Sequence, residues 1–345
     1  MATQPQTMPP PVPVDETVAR EVAEFRDRIL ESISTVVIGQ KSVIDLILTA
    51  LFSGGHCLLT GVPGLAKTLI VRSLSDLLEL NFSRIQFTPD LMPSDILGTE
   101  ILEEERATGR RQFRFVKGPI FANMILADEI NRTPPKTQSA LLEAMQEQRV
   151  TTCGQTFRLD EPFFVLATQN PIEQAGTYPL PEAQLDRFMF NLHIGYLPED
   201  EEVDVVLDTT SNRREKLEPI LSGERLRFYQ GLVRSVPVSH HVARYAVRLA
   251  SATRPVPGNP FDFVRKWVTW GAGIRGGQQI ILAAKSWALL HGRYHVSIED
   301  VRALATPALR HRIITNYFAE SEGATPDSII QKILEALPQP KSGIR

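Results

Sequence analysis

Only two cysteines, Cys57 and Cys153, occur in 345 residues. They stand far apart and without metal-ligand spacing, so the sequence offers neither a disulfide framework nor a zinc site and suits a reducing compartment. Long apolar runs are also missing. No stretch approaches the ~18 uninterrupted apolar residues of a membrane helix, and the first residues lack the basic start and apolar run of a signal peptide. The expected location is therefore the cytoplasm. Charge of one sign is not in excess either: 37 Lys and Arg face 40 Asp and Glu, a formal net charge of -3. That balance gives no global attraction to nucleic acid or anionic lipid.

The composition that remains is globular, 43% hydrophobic and 22% charged. The chain exceeds what one ordinary core fills, which predicts two domains of unequal size. Pro5, Pro9, Pro10, Pro11 and Pro13 crowd the start, so residues 1–14 read as a disordered or polyproline-like tail. From Asp15 the pattern turns helical, with Val18, Val22, Phe25, Ile29 and Ile33 on one stripe, and a second apolar helix spans Lys41 to Phe52. The tight turn Val37-Ile38-Gly39-Gln40 separates them.

Short apolar runs then alternate with helical stretches: Cys57 to Thr60, Phe82 to Phe87, Met124 to Ala127, Phe163 to Thr168 and Met189 to Ile194. This alternation predicts an α/β domain over residues 15–196, a largely parallel sheet flanked by helices. Two insertions interrupt it. Residues 149–159 carry Cys153-Gly154 between period-two runs and read as a β-hairpin, and residues 99–116 read as a strand-containing insertion. Beyond Tyr196, Leu197 and Pro198, helical periodicity dominates, which predicts a smaller all-helical domain with a C-terminal extension over residues 197–345.

The chemistry is densest in GVPGLAKT, which follows the first apolar run and opens a helix. Strand, glycine loop and helix are the context of a phosphate-binding P-loop. Gly61, Val62, Pro63, Gly64, Leu65, Ala66, Lys67, Thr68 and Leu69 are the candidate nucleotide-binding residues. Backbone N–H groups would converge on the phosphates, Lys67 would neutralise the terminal ones, and the Thr68 hydroxyl could ligate Mg²⁺. Ala66 stands where glycine is usual, and its methyl predicts an ordinary backbone conformation there.

A second run, MILADEINR, ends in two adjacent carboxylates, the arrangement known as Walker B. Asp128 would hold Mg²⁺ and Glu129 would polarise the attacking water. Taken alone, such a strand end is as well explained by a solvated turn. A third, FFVLATQNP, delivers Asn170 where ligands of open α/β sheets bind. Asn170 could orient the water and sense the γ-phosphate, although Asn before Pro171 is by itself a turn signal.

The order of these strand ends resembles the AAA+ ATPases. The stretches DEINRTPPKTQSALLEAMQEQRV and ATQNPIEQAGTYPLPEAQLDRFMF, with GVPGLAKT and VIGQ, resemble the MoxR family almost residue by residue. The resemblance runs from about Val36 to the helical domain. It implies ATP and Mg²⁺ as cofactors, ATP hydrolysis, and a helical lid. It further implies that Arg187 of LDRF reaches a neighbouring subunit's nucleotide as an arginine finger. Arg275 of GIRGG would be the lid arginine called sensor 2, touching the γ-phosphate when the lid closes, although the family's usual run there is GASPRA. Val37, Ile38 and Gly39 would pack near the adenine, with core packing as their competing use. A solvated Asp186–Arg187 surface pair is the competing account of the finger.

The resemblance also implies a homo-oligomer, a hexameric ring, acting on a protein client or on partners with von Willebrand factor A domains. The insertions would face the ring axis or the client, and hydrolysis would rotate the lid against the core. Arg110, Arg111 and Arg114 alternate with Phe113 and Phe115, a pattern that suits nucleic acid or an amphipathic strand. The slightly acidic charge argues against a DNA motor. A nucleotide-gated scaffold with little turnover is the rival from another class, and Glu129 argues against it. A small-molecule kinase leaves the LDRF arginine unexplained.

Overall fold

The computed structural model describes residues 14–62, 64–104, 111–171, 176–211 and 216–339. The proline-rich tail before Val14, Pro63 of the glycine loop and Arg110 lie outside the described residues. Asp15 starts α1 (Glu16–Ser34), its carboxylate accepting from the Val18 N–H at 2.9 Å. That bond satisfies an amide that the first helical turn leaves without an intrahelical partner. The stripe Val22, Ile29 and Ile33 is fully buried, and α2 (Lys41–Phe52) packs beside it.

In chain order follow β1 (Cys57–Thr60), α3 (Lys67–Leu77), β2 (Phe82–Gln86), the short α4 (Pro93–Leu97), β3 (Gly98–Glu104), β4 (Arg111–Lys117) and β5 (Met124–Asp128). Then come α5 (Pro135–Glu147), β6 (Arg149–Thr152), β7 (Gln155–Arg158), β8 (Phe164–Gln169), α6 (Glu182–Leu185) and β9 (Phe190–His193). Each strand expected from an apolar run forms to within one residue of its expected ends. Five of them make one parallel sheet, ordered β2-β5-β8-β1-β9. Successive side chains of a strand point to opposite faces. Leu59, Leu126 and Leu166 therefore join one apolar cluster with α1 to α3, and Leu58, Ile125 and Val165 join another with α5. Both faces are covered, which is why the central runs β1, β5 and β8 are buried nearly throughout, whereas the edge strands β2 and β9 mix polar with apolar residues.

The insertions form two antiparallel hairpins, β3–β4 and β6–β7. Cys153 and Gly154 take φ of 51° and 74°, the pair of positive angles that a tight two-residue hairpin turn requires. The hairpins meet where Phe115 stacks on Phe157, ring centroids 4.6 Å apart. Arg111 pairs with Glu104 at 3.0 Å and Arg114 with Glu103 at 3.4 Å on the facing strand. Both arginines are thus neutralised locally, and Phe115 supplies the buried side of an amphipathic strand.

After β9 the chain is helical: α7 (Glu199–Thr209), α8 (Gly223–Ser235), α9 (His240–Ala252), α10 (Asp262–Trp267), α11 (Ile274–Leu290), α12 (Ile298–Leu309), α13 (Tyr317–Ser321) and α14 (Pro326–Ala336). One ribbon departs from the expected all-helical make-up. β10 (Val268–Trp270) and β11 (Ile314–Thr315) pair antiparallel, and both are too short for hydrophobic periodicity to register. Leu226, Tyr229, Leu249, Ile280 and Leu304 of these helices share one continuous cluster with Ile29 and Leu48 of α1 and α2. The helical domain is fused to one face of the core.

Candidate functional site

Parallel strands collect their C-terminal ends on one edge, where open α/β sheets bind ligands. At that edge β1 hands over to Gly61, where a Cβ would sit 2.2 Å from Ile194 Cγ2 and 2.7 Å from the Ile194 carbonyl oxygen. Only glycine fits. Gly64 is exposed with φ of 87°, Leu65 packs against the core, Val62 and Thr68 are half-buried, and Leu69 is exposed. Ala66 corrects the sequence expectation: its φ of 54° and ψ of 19° lie in the left-handed region, which costs an L-residue roughly 1–2 kcal/mol. The loop must turn sharply into α3 at this residue, and its neighbours impose the conformation that glycine adopts freely.

Lys67 closes the loop, its Nζ donating to the Gly61 carbonyl at 2.6 Å. Burial holds its ammonium below the usual lysine range, and the carboxylates of Asp128 and Glu129 oppose that shift. The lysine and both acids therefore share one electrostatic neighbourhood. Asp128 ends β5, and Glu129 follows with φ of 57°, also left-handed. Strain at a non-glycine residue is typical of functional positions.

Four side chains that sequence reasoning did not single out organise the acids. The Thr168 hydroxyl, on β8, donates to Asp128 Oδ1 at 2.7 Å and accepts from the Glu129 N–H at 2.9 Å. Arg84 on β2 donates to Asp128 Oδ2 at 2.6 Å. Gln86 donates to Glu129 Oε2 at 3.0 Å, and Arg132 lies 3.2 Å from the same oxygen. Arg84 and Gln86 are polar positions two apart in a run interleaved with Phe82, Ile85 and Phe87, and Thr168 is a polar end to a buried one. Such signals acquire meaning only once β2, β5 and β8 are known to be neighbours. Asn170 is buried one residue past β8, beside the loop, where the Gly61 N–H donates to the Gln169 carbonyl at 3.2 Å.

No cluster of three or more His, Cys, Asp or Glu capable of caging a metal occurs among the described residues. Mg²⁺ needs no such cage, since it takes one or two protein oxygens and fills its shell with water and phosphate. Asp128, at the end of β5, and the half-buried Thr68, in the first turn of α3, are the oxygen-bearing side chains that would supply them, and both Asp128 oxygens are engaged here by Thr168 and Arg84.

Val37 is buried in the core, its competing use, while Ile38 and Gly39 are half-buried. A Cβ on Gly39 would meet Glu201 Oε2 at 2.4 Å and Leu197 Cδ2 at 2.6 Å, and Gln40 Nε2 donates to the Gly195 carbonyl at 3.0 Å. The turn thus sits against the segment leaving β9, on the same edge as the loop.

Arg187 and Arg275 lie elsewhere. β9 runs parallel to β1 with Cys57 opposite Phe190, so Arg187, ahead of β9, is at the N-terminal edge of the sheet. The strand alone separates it from the glycine loop by at least roughly 10 Å. Its Nη1 donates to the Leu142 carbonyl at 2.6 Å. Asp186 does not form the surface pair with it. That carboxylate instead accepts from Arg275 at 3.3 Å and from the buried Arg312 at 2.7 Å. Arg312 also donates to the carbonyls of Asp186 and Phe188, at 3.0 and 2.8 Å, and to that of Ala308. Burial lowers the Arg312 pKa and Asp186 opposes the shift.

Arg275 is therefore held beside Arg187, not over its own Lys67. Arg187, Arg234, Arg275 and His56 line a cleft of about 220 Å³ on this edge. Burial pushes the His56 imidazole down to about 4. Its Nδ1 accepts from the Val165 N–H at 3.1 Å, leaving Nε2 to donate to the Met145 carbonyl at 3.1 Å.

Comparison with known proteins agrees with this architecture. A model of the ATPase family associated with various cellular activities (AAA) matches residues 56–190, and one of the AAA lid domain matches residues 264–333. The chain is 42% identical to the chaperone MoxR1 of Mycobacterium tuberculosis, covering 94% of this chain and 85% of that one. It is 43% identical to the uncharacterized protein YeaC of Bacillus subtilis, over 92% and 96%. The crystal structure of a Cytophaga hutchinsonii protein described as a candidate ATPase superposes with a TM-score of 0.87 at 42% identity, over 94% and 98%.

Proposed function

Because the chain belongs to the MoxR family of AAA+ ATPases, we propose that it hydrolyses ATP between copies of itself, each copy supplying one half of the catalytic apparatus. The observation that carries this reading is the separation of the two edges. Lys67, Asp128, Glu129 and Asn170 gather at the C-terminal edge, and Arg187 with Arg275 at the other. One chain cannot bring both to one phosphate, whereas head-to-tail association does so at every contact.

In this reading the amides of the loop and of the α3 N-terminus cradle the phosphates, and Lys67 leaves the Gly61 carbonyl for the terminal ones. Asp128 and Thr68 would hold Mg²⁺, which when bound would neutralise charge on the phosphate oxygens. Glu129, its backbone fixed by Thr168, orients and polarises the attacking water, with Asn170 beside it. Arg187 of the adjacent copy stabilises the developing charge on the transferred group. Arg275, pinned next to it by Asp186, acts on the neighbour's nucleotide as well, in place of a lid closing on its own.

The continuous cluster joining the helical domain to α1 and α2 also makes rotation inside one chain costly, so nucleotide-driven motion belongs at the contact between copies. A ring, hexameric as the family resemblance implies, would transmit it to a protein client. A relative named a chaperone favours that role, and partners with von Willebrand factor A domains remain the class implied by resemblance.

A second reading rests on the pairing of the acids: Asp128 is engaged by Arg84 and Glu129 by Arg132, as in a scaffold that binds ATP and barely turns it over. Steady-state hydrolysis by wild type, Glu129→Gln, Arg187→Ala and an equimolar mixture of the two variants separates the readings. Inactive single variants with activity restored in the mixture mean that Glu129 and Arg187 act from different copies. ATP binding without turnover at any wild-type concentration favours the scaffold.

A further inference from the structure

α7 is a helix without a buried residue. Its inner positions Glu201, Val205 and Asp208 are half-buried, and on the outside Val203, Val206 and Leu207 form a stripe at i, i+3 and i+4, exposed by 52%, 59% and 63%. Apolar residues at that spacing mark a face that packs against something. Glu199, Asp200, Glu202 and Asp204 surround the stripe, and α7 contains no cation. The helix leaves the C-terminal end of β9, with Glu201 against Gly39, so it stands on the edge of the glycine loop.

A surface of opposite character lies between α9 and α11. Val247, Ile274, Ile281 and Leu282 line a groove of about 560 Å³, and Ile274 is 77% exposed. The cations Arg234 and Lys285 stand along it. Lys285 Nζ donates to the Arg234 carbonyl at 2.8 Å, and its pKa is lowered by burial and then by the Arg234 charge, with no carboxylate opposing. Arg234 and Leu282 also line the cleft that holds Arg187 and Arg275, so the groove continues the arginine edge.

We infer that α7 of one copy docks its Val203-Val206-Leu207 stripe into the α9–α11 groove of the next copy, its acids facing Arg234 and Lys285. This rests on the proposal that Arg187 acts across a contact between copies, and it names the elements that hold that contact. The occupant is a second copy because α7 and the groove stand on opposite edges of one chain, so neither reaches its own counterpart. Two different patches that match each other make a heterologous contact, which propagates around a ring or along a filament. Acidic and basic surfaces set its register and polarity.

The test uses the full chain carrying Cys153→Ser, Val206→Cys and Val247→Cys, with ATP and Mg²⁺, treated with a short bismaleimide; Cys57 is buried and does not react. A covalent ladder extending past the dimer, absent when either introduced cysteine is omitted, is the expected result. In parallel, Val206→Asp should raise the protein concentration needed for half-assembly by about tenfold or more, as for loss of a central apolar anchor. Oligomers seen by light scattering without any ladder overturn the docking and leave the shared-site reading intact. A chain monomeric at every concentration with ATP present overturns both.

Discussion

The two edges of the sheet solve different problems. The glycine-loop edge is shaped by its backbone: key residues sit in left-handed conformations, Gly64, Ala66 and Glu129 among them, and one hydroxyl, that of Thr168, ties the two acids together while Arg84, Gln86 and Arg132 flank them. The arginine edge is built from charge. Asp186 anchors Arg275 and Arg312, while the Phe188 carbonyl ahead of β9 and the Ala308 carbonyl of α12 also accept from Arg312. In the proposed reading the first edge receives an anion and a water, and the second offers Arg187 and Arg275 to a neighbouring copy.

The largest expected effect breaks the arginine edge alone. Asp186→Asn leaves the buried Arg312 without its counter-charge, a loss of about 3 kcal/mol or more, read as an earlier urea midpoint. ATP binding by the folded chain should persist, because no loop residue touches Asp186. Unchanged stability would show that the carbonyls alone hold Arg312. The same edge should also respond to acid. His56, in its cleft, has its pKa lowered from 6.5 to about 4 by burial, and His311, buried beside Arg312, is lowered for the same first reason. The unfolded chain therefore binds more protons in that window. Stability is fully present above about pH 6.5 and falls as pH drops toward 4, by about 3 kcal/mol from His56. Urea unfolding at successive pH values measures the slope, and His56→Asn should flatten it.

A smaller effect belongs to the glycine-loop edge. Thr168→Val keeps the shape of the side chain but removes both of its bonds to the acid pair, and should lower kcat about 10- to 100-fold with little change in the KM for ATP. Thr168→Ser should recover most of it. A rise in KM with kcat intact would instead mean that Thr168 serves nucleotide binding.

The two edges differ in legibility for the same reason. The loop edge is written in contiguous residues, because a phosphate cradle and an acid pair need fixed spacing along one strand-turn-helix, so Gly61 to Leu69, Asp128, Glu129 and Asn170 could be picked out before any contact was known. Arg187 and Arg275 were reached only through family resemblance, since an arginine next to an aspartate is ordinary on any surface. That resemblance suggested a lid closing on its own site; the side on which Arg275 lies depends on how the helical domain packs on α1 and α2, which periodicity does not encode. Thr168, Arg84 and Arg312 were missed because their partners come from other strands or from more than a hundred residues away. The β10–β11 ribbon was missed because it is too short to show alternation.

Ala66 gives the smallest and sharpest test of the contrast. Its left-handed backbone costs roughly 1–2 kcal/mol, while glycine in its place would loosen the unfolded chain by about 0.5–1 kcal/mol. Ala66→Gly should therefore stabilise the fold by up to about 1 kcal/mol, and Ala66→Val, bulkier in the same conformation, should do the opposite. The functional sign is independent of this. Ala66 is exposed at the mouth of the loop, so a methyl that crowds the phosphates predicts tighter ATP binding for Ala66→Gly, whereas unchanged binding means that the methyl points clear of the nucleotide and the strain is structural only. Tighter binding with no gain in turnover would move the balance toward the scaffold, because the loop would then be limiting affinity while the acids, held by Arg84 and Arg132, limited the chemistry.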